Sequence, residues 1–296
     1  MCHVVITKLQ GGLGNQMFQY SAGKMLAIKN NSTLKLDISW YLTQNKRQYA
    51  LHHFMVTEIF AKAEEVKRLL QFNRFSLRNI TCKLAPKLIN HKLIYIKQTD
   101  SKYCPSVFSA KGDVYLEGYW QNPDYFSEIQ ETLRRDFVLK EEAFGKNAEI
   151  LRIIRNSNSA SIHFRRGDYV YDNKTRMTHP ICSDDYYNSA IKILNQNFKD
   201  LIFFIFSDDI DWVKKNVIIS NPTFYVDWNK EENSFEDLRL MSSCRHNIIA
   251  NSTFSWWGAW LNSNPGKVVI APEKWFADPE INKQTTDLIP EKWIRL

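Results

Sequence analysis

A chain of 296 residues holds one large domain or two of ordinary size, and 44% hydrophobic residues can fill their cores. Its five cysteines are odd in number, scattered and without a Cys-x-x-Cys pair, which argues against a disulfide framework or a zinc site and for a reducing compartment. The net charge of +7 has no nucleic-acid-binding module beside it, no apolar run reaches membrane-spanning length, and no basic n-region with a cleavage site precedes the first strand.

In chain order, Val4-Val5-Ile6-Thr7 reads as a strand, Gly11-Gly12-Leu13-Gly14 as a loop and Asn15–Lys29 as a helix. Thr33–Asp37 is a second strand. The pattern then weakens through Val66–Thr99, which carries eight Lys or Arg (Lys67, Arg68, Arg74, Arg78, Lys83, Lys87, Lys92, Lys97) and no acidic residue. Basic residues mixed with leucines and phenylalanines suit either a solvated helix face or an anionic membrane surface. Regularity returns with a strand at Val114-Tyr115-Leu116. A boundary falls in the charged, Asn-rich stretch 140–158, dividing the chain into residues 1–150 and 151–296.

The second half alternates strand and helix. Strands are expected at Ser161–Phe164, Leu201–Phe206, Thr223–Val226, His246–Ala250 and Lys267–Ala271. Helices are expected at Asp184–Leu194 with Ser183 as N-cap, at Ser234–Ser243 with Ser234 and Asp237 as a cap pairing, and at Thr253–Leu261. Leu201–Phe206 is apolar without interruption, as a strand buried on both faces requires. Such alternation predicts a doubly wound parallel sheet.

Three strand ends then matter. His163-Phe164-Arg165-Arg166-Gly167-Asp168 puts two guanidiniums where ligands bind in an α/β sheet, and arginine grips phosphate oxygens two at a time without losing its charge. Ser207-Asp208-Asp209 follows the apolar strand, and its carboxylates suit the N–H donors of guanine. Asn251-Ser252-Thr253-Phe254-Ser255-Trp256-Trp257-Gly258 follows the next, where Ser252, Thr253, Ser255 and a helix N-terminus suit a diphosphate. In a parallel sheet all three leave one edge, which favours a nucleotide-diphosphate site. In the first half, Gly11, Gly12 and Gly14 mimic a dinucleotide fingerprint, with Asp37 at a suitable distance, but Met17 stands at the third glycine position. Asn15 and Gln16 instead offer amides at a helix start, where Asn15 serves a ligand or the helix cap. No ligand cluster points to a metal; paired arginines can neutralise a leaving diphosphate in its place. The nine Trp suit sugar faces, although a single Trp is more often core.

Together, Gly11–Tyr20, His163–Asp168, Phe206–Asp209 and Asn251–Leu261 resemble the motifs of the α-1,2-fucosyltransferases, family eleven of the glycosyltransferases, in order and spacing. The Arg-Arg-Asp element is shared with α-1,6- and protein O-fucosyltransferases, and Ser-x-Trp-Trp-Gly is more specific. The resemblance implies a GT-B-like α/β fold of two Rossmann-type domains facing a cleft, an acceptor-side domain first and a GDP-fucose-binding domain second. It implies GDP-β-L-fucose as donor, inversion, no cofactor and no essential metal. A terminal β-galactoside or lipid-linked glycan would accept the sugar on its 2-hydroxyl. Arg165 would hold the β-phosphate, with Arg166 beside it. His163 and Asp208 or Asp209 would lie near guanosine, and Ser207, Asn251, Ser252, Thr253 and Ser255 would complete the donor site. Asp168 would orient the arginines or act as base, and Asn15 would position the acceptor. Where α-1,6 relatives carry a glutamate, this chain has Asp172, Asn173 and Lys174, which leaves the base open. The absence of an N-terminal anchor suggests a cytoplasmic enzyme of bacterial type, peripheral on the inner membrane face if the basic segment binds lipid. The other readings are a different GDP-sugar transferase, such as a protein O-fucosyltransferase, and a nucleotide-sugar-binding protein without turnover.

Overall fold

The structure is a computed structural model that describes residues 3–44, 47–75 and 93–296. The chain falls into two compact units, Met1–Lys140 and Glu141–Leu296. The helix Gly145–Arg155, through which a boundary at residue 150 would pass, therefore belongs wholly to the second unit.

The first unit is built on a parallel sheet of β1 (Val4–Lys8), β2 (Thr33–Asp37), β3 (Leu93–Lys97) and β4 (Asp113–Glu117), in the order β2-β1-β4-β3. The helix Leu13–Lys29 connects β1 to β2. It is buried over most of its length, the polar Gln16, Gln19 and Ser21 included. Asp37, the residue that mimics a ribose ligand, is buried and spent: it accepts from the Tyr115 hydroxyl at 2.6 Å and the Ser39 amide at 2.9 Å. The helix Ala63–Phe75 and β3 lie in the basic segment, where charge hides their pattern. Arg78, Lys83, Lys87 and Lys92 lie outside the described residues, and with them most of the segment considered for membrane contact.

The second unit is a six-stranded parallel sheet of β5 (Asn158–Phe164), β6 (Leu201–Ser207), β7 (Thr223–Tyr225), β8 (His246–Ile248), β9 (Val269–Ala271) and β10 (Ile294–Arg295). The order is β10-β9-β8-β5-β6-β7. Ala160 and Ile162 of β5 and Phe203 and Ile205 of β6 pack with Tyr186, Tyr187, Ala190 and Leu194 of the helix Asp184–Asn197. The large aliphatic and phenylalanine side chains among them, Ile162, Phe203, Ile205 and Leu194, each contribute about 1.5–3 kcal/mol on full burial. Ser183 caps that helix as expected, its hydroxyl accepting from the Tyr186 amide. The pairing of Ser234 with Asp237 does not form. Asn233 is the N-cap and makes no side-chain cap bond, while Asp237 accepts from Asn229 at 2.7 Å. The Ser-x-Trp-Trp-Gly tryptophans are core: Trp256 and Trp257 are fully buried, and Trp256 donates to the Leu288 carbonyl at 2.8 Å.

The winding reverses at β5. From β5 the chain moves to β6 and β7 on one side, then crosses to β8 and β9 on the other. The loops after β5 and β8 diverge at their carboxyl ends, the place where open α/β sheets hold ligands. The first unit has the same feature between β1 and β4, since β1 leads to β2 on its far side.

Candidate active site

Arg165 leaves β5 directly into this switch point. Its Nη2 donates to Asp168 Oδ1 at 2.7 Å, and its Nη1 lies 2.8 Å from Asp208 Oδ2. Tyr169, one helical turn on, places its ring 5.3 Å below the guanidinium and donates its hydroxyl to the Asn251 carbonyl at 3.0 Å. Burial by itself would lower the pKa of Arg165, but Asp208 and then Asp168 more than offset it, so the value lies above the ordinary one. The arginine is thus charged, half-buried and held through both terminal nitrogens by carboxylates.

Arg166 is fixed differently. Its backbone amide donates to Asp208 Oδ1 at 2.8 Å, and its guanidinium lies over the Trp212 indole, Cζ 3.2 Å from the ring centroid. Asp209 approaches its Nε at 3.5 Å, and that nitrogen is buried without a hydrogen bond. Asp208 is therefore engaged through both oxygens by the arginine pair. In this arrangement it clamps the two arginines, and of the two carboxylates considered for guanine it is the one tied to both. Ser207 accepts from the Asp209 amide at 3.0 Å and shapes the turn rather than presenting its hydroxyl outward.

His163 is buried one residue before the end of β5, its ring centroid 5.9 Å from that of Phe254 across the switch point, and its Nδ1 has no hydrogen-bond partner. Burial holds its pKa down at about 4; Asp208 pulls it upward and Arg165 adds to the fall. The ring is neutral at physiological pH.

Beyond β8 the expected donor residues separate into two kinds. Asn251 is buried and committed to the fold. Its Nδ2 donates to the Pro180 and Trp275 carbonyls at 2.8 and 3.2 Å, and its Oδ1 accepts from Cys182. Ser255 is buried too, turned back to the Ala250 and Ser252 carbonyls at 3.4 Å. Neither side chain is placed to meet a ligand. Ser252 sits at the N-cap of the nine-residue helix Thr253–Leu261 and makes no side-chain cap bond, and Thr253 opens the first turn. These two remain where an anion would meet a helix N-terminus.

In the first unit, Gly12 rather than Asn15 is the N-cap of Leu13–Lys29, and space for a Cβ there is open. Gly11 has φ +80°, and a Cβ on it would lie 2.6 Å from Asn15 Nδ2, so both its conformation and the approach of Asn15 require glycine. Gly14 lies buried in the first helical turn. Gln16 is a structural amide, donating to the Gly11 and Gln48 carbonyls and accepting from the Ala50 amide. Asn15 accepts from Gln121 Nε2 at 3.0 Å. Asp172 caps the helix Asn173–Thr178 through the Thr175 amide, a structural use.

Sequence reasoning missed Tyr169, Trp212, Phe254 and Gln121. Only Tyr169 carried a local signal, being four residues after Arg165 at the start of a helix. Among the described residues no group of three His, Cys, Asp or Glu is placed to hold a metal ion, and no helix is long and apolar enough to cross a membrane.

Two α/β units on parallel sheets, each with a switch point, form a GT-B-like fold. A variant of Arabidopsis thaliana FUT1 solved with GDP shares it, with a TM-score of 0.53 at 11% identity, over 93% of this chain and 72% of that one. The chain belongs to glycosyl transferase family 11, whose profile matches residues 3–296. It is a glycosyltransferase. It is 38% identical to an Escherichia coli alpha-1,2-colitosyltransferase over 99% of both chains. It is 31% identical to the Escherichia coli O-antigen biosynthesis glycosyltransferase WbnK, over 97% of this chain and 99% of that one.

Proposed function

We propose that the chain transfers L-fucose from GDP-β-L-fucose to the 2-hydroxyl of a terminal β-galactoside, with inversion and without a divalent cation. One observation carries this reading: Arg165 is clamped between Asp168 and Asp208 at the carboxyl end of β5. A preorganised guanidinium is the group that stabilises a departing diphosphate, and an arginine pair supplies charge that a metal would otherwise bring. The GDP of the Arabidopsis fold relative and the O-antigen name of the second relative support a GDP-activated donor and a glycan acceptor.

In the step itself, the acceptor oxygen forms a bond to the anomeric carbon as the bond from that carbon to the phosphate oxygen breaks. The electron pair leaves with GDP, towards Arg165, Ser252 and Thr253. Asp168 orients Arg165, its Oδ1 accepting from Nη2 at 2.7 Å. The acceptor proton departs late, when its oxygen is already acidic, and the Asp168 carboxylate takes it. Asn15 positions the acceptor hydroxyl.

The colitosyltransferase relative favours a second donor, GDP-colitose, whose sugar lacks the 3-hydroxyl of fucose. GDP release with GDP-fucose, GDP-colitose and a UDP-sugar control, each with and without a β-galactoside, tests both. Acceptor-dependent release from GDP-fucose supports the reading. Release from GDP-colitose alone replaces the donor, and release from neither removes the proposal.

A further inference from the structure

Asn15 does not stand alone at the edge of the first unit. β4 leaves the sheet at Gly118, where an added Cβ would lie 2.5 Å from Gln98 Cβ, so the backbone there rests against Gln98. Gln98, the residue after β3, turns its Oε1 into the loop and accepts from the Tyr119 and Trp120 amides at 3.0 and 2.9 Å. Trp120 is fully buried, edge-on to Tyr125, and holds φ +54°. A bulky L-residue adopts that conformation at a cost, which persists only where the surroundings impose it. On the far side, the Asn122 amide bonds back to the Trp120 carbonyl at 2.8 Å, and the Asn122 side chain caps the next turn through the Asp124 amide.

Gln121 is therefore pinned between two fixed neighbours on a strained turn. It reaches from the end of β4 to the helix that follows β1, across the switch point of its sheet. Its Nε2 donates to Asn15 Oδ1 at 3.0 Å, while Asn15 Nδ2 lies over the bare Cα of Gly11. This bond turns the Oδ1 end of the Asn15 amide toward Gln121.

We propose that Gln121 is a positioning residue for transfer, acting through Asn15 by fixing the orientation of its amide. This rests on the reading of Asn15 as a substrate-contacting residue. Gln98 and the conformation of Trp120 serve the same end, holding Gln121 in register.

The test compares Asn15→Ala, Gln121→Met, Gln121→Glu and the double variant Asn15→Ala/Gln121→Met, using whichever GDP-sugar the wild-type chain turns over. Methionine keeps the volume and removes the donor. Glutamate keeps the shape but only accepts, so it bonds Asn15 through Nδ2 and reverses its amide. The expected result is a fall in kcat of at least about tenfold for each single variant, the double variant being no worse than the poorer single one. The KM for the donor and the calorimetric affinity for GDP stay within about twofold, which separates positioning from loss of fold. Gln121→Glu should be as poor as Gln121→Met. Gln121→Met at wild-type turnover beside an impaired Asn15→Ala overturns this proposal alone, as does a double variant whose losses multiply. Asn15→Ala at wild-type turnover overturns both this proposal and the reading of Asn15.

Discussion

The carboxylate of Asp208 reaches Arg165 at 2.8 Å across the bare Cα of Gly167, where a Cβ would lie 2.6 Å from the same carboxylate oxygen. Glycine at 167 is thus a condition of the clamp. Asp208→Asn should lower turnover at least about tenfold, because it leaves Arg165 with one carboxylate and Arg166 with a weaker anchor. Gly167→Ala should do the same by pushing Asp208 aside. Nucleotide selectivity against ADP and UDP competitors should hold in both. A relaxed selectivity with intact turnover would return Asp208 to a guanine-binding role.

Arg165→Ala should cost about a hundredfold or more in kcat, as for other groups that stabilise developing charge. Arg165→Lys should fail substantially as well. A lysine ammonium cannot bridge Asp168 and Asp208 while presenting a planar face to a diphosphate. Steady-state kinetics of the two variants checks this; lysine at wild-type turnover would show that only net charge matters.

Trp212 supports Arg166 from below at 3.2 Å, a stacking worth about 0.5–2 kcal/mol. Trp212→Ala should weaken GDP binding roughly 3- to 30-fold by calorimetry, and Trp212→Phe should recover most of the loss. Equal losses for alanine and phenylalanine would mean that indole packing in the fold, rather than support of Arg166, is what the substitution removes.

Asp237 gives the pH dependence a sign. Burial raises its pKa from 3.8 to about 7, against the Asn229 bond and with Glu236 adding to the rise. The folded chain then binds more protons than the unfolded one between those values, so stability falls as pH rises through them. Three pK units correspond to roughly 4 kcal/mol. Asp237→Asn, which keeps an oxygen for Asn229, should melt near wild type at pH 4 and progressively higher than wild type up to pH 8. A difference that is constant across this range would contradict the account.

Much of this site was legible because its elements are local. Leu201–Phe206 could only be a buried strand, Ser183 a cap, and the residues after three parallel strands had to share an edge. What the sequence could not reveal is who holds whom across that edge. Asp208 looked as ready for guanine as for arginine, since nothing local says that Gly167 brings Arg165 and the Arg166 amide within its reach. Asn251 and Ser255 carry the same side chains as a ligand site would, but the fold turns them inward to backbone carbonyls. The pairing of Ser234 with Asp237 fitted the spacing and lost to Asn229, which reaches Asp237 from the preceding loop. Gln121 met Asn15 from 106 positions away, and β3 hid its apolar alternation among lysines.

The central claim is the transfer itself, and the structure of its product tests it most directly. The purified chain, incubated with GDP-β-L-fucose and a β-galactoside, should yield one new glycosidic bond, α-configured and on the galactose 2-hydroxyl, as read from the anomeric coupling and the linkage shifts by NMR. A β-linkage, a linkage to another hydroxyl, or free fucose with no disaccharide product would contradict the account.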